Sequence, residues 1–300
     1  MSSIFVNETA KAKVNAWFDT FRGSLPTPAE SRYVDTPHGR THVLVAGPEG
    51  APPLVCLHGA LASSAHVLPE LGPLVERYRV YAVDVLGQSV MSADVRLALD
   101  DNSYGDWVAA VCAGLGLDRV TLFGVSWGGF VAMRAVRVAP ELVSALVLLV
   151  PAGVVSGPIW RGFTKIAWPI LQYRWSPSER RLQRVCDALF TTRDARWTQY
   201  FGEALFSYRT DMRVPPLARP EDLSAYRGKT LVFGADQDLS FPGAALLVRA
   251  KVLFPQAELE LLSACKHCPP LNDEFRSQLA ARVHAFLIAP NRDPESTSAA

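Results

Sequence analysis

Short apolar runs alternate along this chain with stretches whose apolar positions recur at helical spacing. Runs at 53–57, 79–85, 119–124 and 143–150 read as strands, and amphipathic patterns at about 66–77, 103–116 and 128–139 read as the helices between them. That alternation predicts an α/β fold, with a mostly parallel sheet covered by helices on both faces. Ahead of it, 31–35 and 40–46 read as an antiparallel pair around Pro37-His38-Gly39. Residues 4–22 form an amphipathic pattern with Val14, Trp17, Phe18 and Phe21 on one face. Later runs at 229–234 and 257–262 extend the sheet, and 275–286 supplies a closing helix. The small, polar stretch 290–300 is expected to be disordered.

Between residues 153 and 228 the alternation stops. This segment is helical in pattern and dense in aromatic residues, among them Trp160, Phe163, Trp168, Tyr173, Trp175, Phe190, Trp197, Tyr200 and Phe201. The expected organisation is a core in two parts, 1–152 and 229–290, a helical insertion at 153–228 and a tail at 291–300. A chain of 300 residues that is 49% hydrophobic can bury one large core. Its formal net charge of +1 gives no general drive toward nucleic acid or an anionic membrane. The first residues lack the basic region and apolar core of a signal peptide. The apolar run 145–155 is interrupted by Pro151 and Gly153 and is too short to cross a bilayer. A cytoplasmic protein is expected, and the odd count of five cysteines suits a reducing compartment.

The chemistry is concentrated where a strand pattern ends in Gly124-Val125-Ser126-Trp127-Gly128 and continues as a helix. In that setting G-x-S-x-G makes a sharp turn that exposes the serine, with glycines letting strand and helix pass closely. A serine needs a base. Of the six histidines, His267 stands on a loop after the 257–262 strand, whereas His284 falls in a helical pattern. An acid to orient the base belongs on the loop after 229–234, where Asp236 and Asp238 compete. Asp238, four residues ahead of Pro242, is favoured, and Asp236 is expected to cap the turn. The strand at 53–57 runs into His58-Gly59-Ala60, so backbone N–H groups of Ala60 and Trp127 are candidates for holding a developing oxyanion. His58 is expected to bond neighbouring loop backbone. Cys265 and Cys268 bracket His267 as C-x-x-C, but no second cysteine or histidine pair lies nearby to complete a zinc site.

The order His58-Gly59, then Gly124-x-Ser126-x-Gly128, then Asp238, then His267 resembles the α/β-hydrolase superfamily, and Asp84-Val85-Leu86-Gly87-Gln88-Ser89 is similar to its D-x-x-G-x-S pattern. The likeness spans roughly residues 30–290. Two departures are Gln88 and one extra residue between Gly234 and the acid. Members that are dehalogenases or epoxide hydrolases carry aspartate where Ser126 stands. The resemblance is strongest to bacterial esterases, a group that includes macrolide esterases. It implies a metal- and cofactor-free serine hydrolase acting on a small ester or lactone, with Ser126, His267 and Asp238 as its triad. It also implies a cap over the serine at 153–228. Trp160, Phe163 and Trp168 are then candidates for the substrate pocket. The same residues would also serve carbon–carbon bond hydrolysis, macrolide lactone opening, acyl transfer or cofactor-free peroxidation, and a non-catalytic binding protein is a further alternative.

Overall fold

A computed structural model describes residues 3–209, 211 and 213–290, with the side chain of Ile159 left aside. The tail expected at 291–300 lies outside the described residues. Among the described residues eight strands form one sheet: β1 (Glu30–Val34), β2 (Thr41–Ala46), β3 (Pro53–Leu57), β4 (Arg79–Val83), β5 (Val120–Val125), β6 (Val143–Leu149), β7 (Lys229–Ala235) and β8 (Glu258–Leu262). Their spatial order is β1-β2-β4-β3-β5-β6-β7-β8. Only the β1–β2 and β2–β4 pairings are antiparallel; the other five are parallel.

Both faces of the sheet are buried, which is why the central strands read as continuous apolar runs rather than as alternating ones. Val55 and Leu57 of β3 and Leu122 of β5 pack on one side with Trp107 and Phe130. Leu54, Cys56 and Phe123 pack on the other with Phe18, Phe21 and Val283. The first helix, Glu8–Gly23, starts one turn later than its apolar pattern because Asn7 caps it, accepting from the Ala10 N–H at 2.8 Å. The single helix expected at 66–77 is instead three short pieces, Ser64–Val67, Pro69–Leu71 and Gly72–Val75. Pro69 and Pro73 each lack the N–H that a continuous helix requires.

The sheet order also decides where a ligand can enter. From β3 the chain goes to β4 on one side, and then returns to β5 on the other. Connections leaving the carboxyl ends of β3 and β5 therefore diverge, and a crevice opens between them. The described residues of the segment between β6 and β7 contribute helices and no strand of the sheet. Its longer helices are Trp168–Trp175, Glu179–Leu189 and Ala195–Ser207.

Candidate active site

Ser126 sits between β5 and the helix Trp127–Val138 at φ +50°, a conformation that costs a non-glycine residue on the order of 1–3 kcal/mol. Its surroundings hold it there. Its N–H donates to the Leu149 carbonyl at 2.9 Å, and its carbonyl accepts from Ala152 and Gly129, both at 2.9 Å. The two glycines of the motif are sterically required. A Cβ on Gly128 would stand 2.0 Å from the Leu57 carbonyl oxygen, and one on Gly124 would stand 2.6 Å from that of Gly128. Strand and helix thus approach backbone to backbone, and the serine side chain is left facing the crevice.

His267 lies on the loop after β8, with Nε2 2.9 Å from Ser126 Oγ. Its Nδ1 is 2.8 Å from Oδ2 of Asp238, whose side chain is fully buried. The other carboxylate oxygen of Asp238 accepts backbone N–H groups of Ser240 at 2.7 Å and Phe241 at 3.0 Å. Those bonds fix the carboxylate as an acceptor, so Nδ1–H donates to it and Nε2 is left to accept the Ser126 hydroxyl. Asp236 faces elsewhere. It accepts the N–H groups of Ala264 and Cys265 at 3.0 and 2.9 Å, and these bonds hold its carboxyl below the ordinary range. It ties down the loop that carries His267 rather than touching the imidazole. The extra residue after Gly234 is absorbed because β7 runs one residue further, to Ala235.

The loop after β3 is fixed from three directions. His58 is fully buried, its Nε2 accepting from the Val85 N–H at 2.9 Å and its Nδ1–H donating to the Gly59 carbonyl at 2.8 Å. Burial lowers its pKa, keeping the ring neutral. In a trans peptide the C=O and N–H point in opposite directions, so fixing the Gly59 carbonyl also fixes the Ala60 N–H. Next in line, Leu61 at φ +57° donates its N–H to Gln88 Oε1 at 3.3 Å and accepts the Tyr200 hydroxyl at its carbonyl. The glycine of the loop is close to the serine: a Cβ on Gly59 would lie 3.9 Å from Ser126 Oγ. Trp127 follows Ser126 as the first residue of the helix Trp127–Val138. Its indole is buried in the core cluster beside Phe130.

Above the serine is a cavity of about 340 Å³, lined by Gly59, Ala60, Leu61, Ser126 and His267 on the sheet side. Its walls are Val67, Leu71, Leu189, Phe190, Trp197, Phe201, Phe275 and Leu279, with His66 and Glu70 as polar members. Trp160, Phe163 and Trp168 do not line it. The helix Trp168–Trp175 turns Pro169 and Tyr173 inward, and Tyr173 packs with Leu182 and Leu205. That leaves Trp160, Phe163 and Trp168 on the outer face, 74%, 46% and 47% exposed. It is the helices Glu179–Leu189 and Ala195–Ser207 that bring Leu189, Trp197 and Phe201 to the cavity.

The polar wall residues are constrained. His66 is buried among Phe21, Tyr200 and Trp197, with ring centroids 4.0, 4.2 and 4.8 Å away. Ser63 Oγ lies 2.6 Å from its Nδ1, and burial pushes its pKa down to about 3. Glu70 is paired bidentately with Arg276, both contacts 2.9 Å, although burial still raises its carboxyl. Of the C-x-x-C pair, Cys265 is buried under the loop and Cys268 lines the cavity, both as free thiols. Cys268 also anchors the loop: its N–H donates to the Leu189 carbonyl at 2.8 Å and its carbonyl accepts from Thr191 N at 3.0 Å. Among the described residues no cluster of three or more His, Cys, Asp or Glu is arranged to hold a metal ion.

The profile of the alpha/beta hydrolase fold family matches residues 52–176. An uncharacterized carboxylesterase of Bacillus subtilis, nap, is 37% identical over 283 residues, covering 91% of this chain and 92% of that one. The crystal structure of naproxen esterase (carboxylesterase NP) from the same organism superimposes with a TM-score of 0.79 at 25% identity, over 92% of this chain and 97% of that one. Carboxylesterase CesB (YbfK), also from B. subtilis, shares the fold with a TM-score of 0.76 at 23% identity, over 93% and 99% of the two chains. By sequence along nearly its whole length, and by fold, the chain belongs to the α/β-hydrolase family and is a carboxylesterase-like enzyme within it.

Proposed function

We propose that the protein hydrolyses carboxylic esters with a bulky apolar group, by an acyl-enzyme route through Ser126, His267 and Asp238. The observation that carries this reading is the chain of contacts from Ser126 Oγ to His267 Nε2 at 2.9 Å and from Nδ1 to Asp238 at 2.8 Å, at the floor of an apolar cavity. His267 takes the hydroxyl proton as Ser126 Oγ forms a bond to the ester carbonyl carbon. The resulting oxyanion is held by the N–H groups of Ala60 and Trp127. Collapse breaks the ester C–O bond, and the imidazolium gives its proton to the departing alcohol. Water, activated by His267, then releases the acid and frees Ser126. Asp238 keeps the imidazole in the tautomer this requires and stabilises its charged form.

A cavity of this volume suits a small organic ligand, and its aromatic and aliphatic walls favour an apolar one. The segment 153–228 acts as a cap over the serine on this reading, since it supplies Leu189, Phe190, Trp197 and Phe201 to the walls. The full-length likeness to carboxylesterase nap supports ester over other acyl substrates. The test is a panel of p-nitrophenyl esters of graded acyl size, run beside lactones. Ester hydrolysis by the wild type, labelling of Ser126 by a fluorophosphonate, and a fall in kcat of roughly 10⁴-fold or more in Ser126→Ala are expected. Full activity in Ser126→Ala would sink the assignment.

A further inference from the structure

The aromatic residues that the cavity does not use form a surface of their own. One helical stretch runs from Ile159 to Trp175, with a π turn at Phe163–Ala167 between two α segments. In an unbroken α-helix, Trp168 would rotate well away from the line set by Trp160 and Phe163. The π turn spends an extra residue on one turn and brings Trp168 back over Phe163. The ring centroids confirm the alignment, with Trp160–Phe163 at 6.2 Å and Phe163–Trp168 at 6.4 Å. Leu171 and Trp175 continue the stripe at spacings of three and four, 51% and 90% exposed. Among the described residues, Trp160 and Trp175 stay largely exposed and Phe163 and Trp168 about half exposed, whereas the opposite face of the helix is buried through Pro169 and Tyr173.

The stripe is flanked by cations. Between residues 159 and 189 stand Arg161, Lys165, Arg174, Arg180, Arg181 and Arg184, against Glu179 and Asp187. The near-zero net charge of the whole chain conceals this local excess. A second copy meeting this face across a two-fold axis would set one basic patch against another. An anionic surface complements it. Tryptophan, phenylalanine and leucine on one face of a helix with Arg and Lys beside them is the pattern of a helix that lies in a membrane interface. No helix among the described residues is long and apolar enough to cross a membrane.

We propose that the outer face of the 159–175 helix seats on an anionic lipid surface, with the indole rings at the headgroup boundary and Arg161 and Lys165 among the phosphates. This inference does not depend on the ester chemistry. The test is co-sedimentation of the full chain with vesicles of phosphatidylcholine alone, or with about 30 mol% phosphatidylglycerol added. Wild type is expected to partition onto the anionic vesicles at least about tenfold better, and to be released by about 0.5 M salt. Two variants are compared: Trp160→Ser/Trp168→Ser/Trp175→Ser and Arg161→Glu/Lys165→Glu. Each is expected to lose about tenfold or more in partition while hydrolysing a soluble short-chain ester like wild type. Absence of wild-type binding to anionic vesicles at low salt, or variants that bind as well as wild type, would overturn the proposal. So would a dimer in sedimentation velocity that the triple serine variant dissolves, since the stripe would then belong to a second copy.

Discussion

At the scale of single residues, the two aspartates on the loop after β7 divide two tasks. Asp238 is buried and bonded to two backbone N–H groups and the imidazole, while Asp236 is exposed and bonded to the loop that carries the imidazole. Asp238→Asn would offer an N–H or a weaker acceptor to Nδ1 and lose control of the tautomer. Its kcat is expected to fall roughly 10²–10⁴-fold. Asp236→Asn keeps one acceptor for the same loop, so its kcat is expected to stay within about tenfold of wild type. Steady-state kinetics on one ester decides between them, and the reverse ranking would transfer the role to Asp236. His58 illustrates the same economy at the other wall. Bonded on both ring nitrogens, it has no nitrogen left for a substrate proton and serves the Gly59–Ala60 peptide instead.

At the scale of elements, the cavity is where the sheet and the helical segment meet. The Glu179–Leu189 helix ends on the loop of His267, through the bonds between Leu189, Thr191 and Cys268. The Ala195–Ser207 helix places Trp197 against the cavity and Tyr200 against the Leu61 carbonyl. On the proposed function, selectivity is expected to follow these two helices and not the one before them. Trp197→Leu is expected to shift the kcat/KM ratio between bulky and short esters by about tenfold or more, because a wall contact discriminates by roughly 1–3 kcal/mol. Trp160→Ala is expected to leave that ratio at the parental value. A ratio that moves with Trp160 and not with Trp197 would return the pocket to the outer helix.

At the scale of the whole molecule, stability should depend on pH through groups buried in and under the site. His66 is pushed from its ordinary 6.5 to about 3, and His58 is lowered as well, both by burial. The unfolded chain therefore takes up these protons near pH 6.5 while the fold does not, so stability falls as pH drops below that value. For His66 the slope is about 1.4 kcal/mol per pH unit between roughly pH 6 and 4. Asp84 adds a second loss lower down. Burial works to raise its carboxyl, but hydrogen bonds from His42 and Ser64 outweigh it and hold the group below 3.8. Its contribution is present above that value and is lost as pH falls below it. Urea midpoints from pH 7 to 4 test this: His66→Phe is expected to flatten the acid limb by that one-proton slope. An unchanged pH dependence would mean that His66 is not held neutral.

The sequence by itself determined the alternation of elements, since strands buried on both faces must be continuously apolar and helices on a sheet must be amphipathic. It also singled out Ser126, because two glycines around a serine at a strand–helix junction answer a local steric demand. His267 and Asp238 were legible for a related reason, each lying on a short loop directly after a strand of the same sheet. The strand order β4-β3-β5 was left to the tertiary structure, and with it the crevice that brings Ala60 beside Ser126. So were the contacts of Gln88 and Tyr200 to Leu61 and the burial of His66. These join residues distant in sequence and leave no local periodicity. The aromatic residues show the limit most plainly. Trp160 and Trp197 look alike as letters in an aromatic-rich helical segment, and only the packing of Tyr173 on Leu182 and Leu205, with the π turn at 163–167, sends one outward while the other lines the cavity.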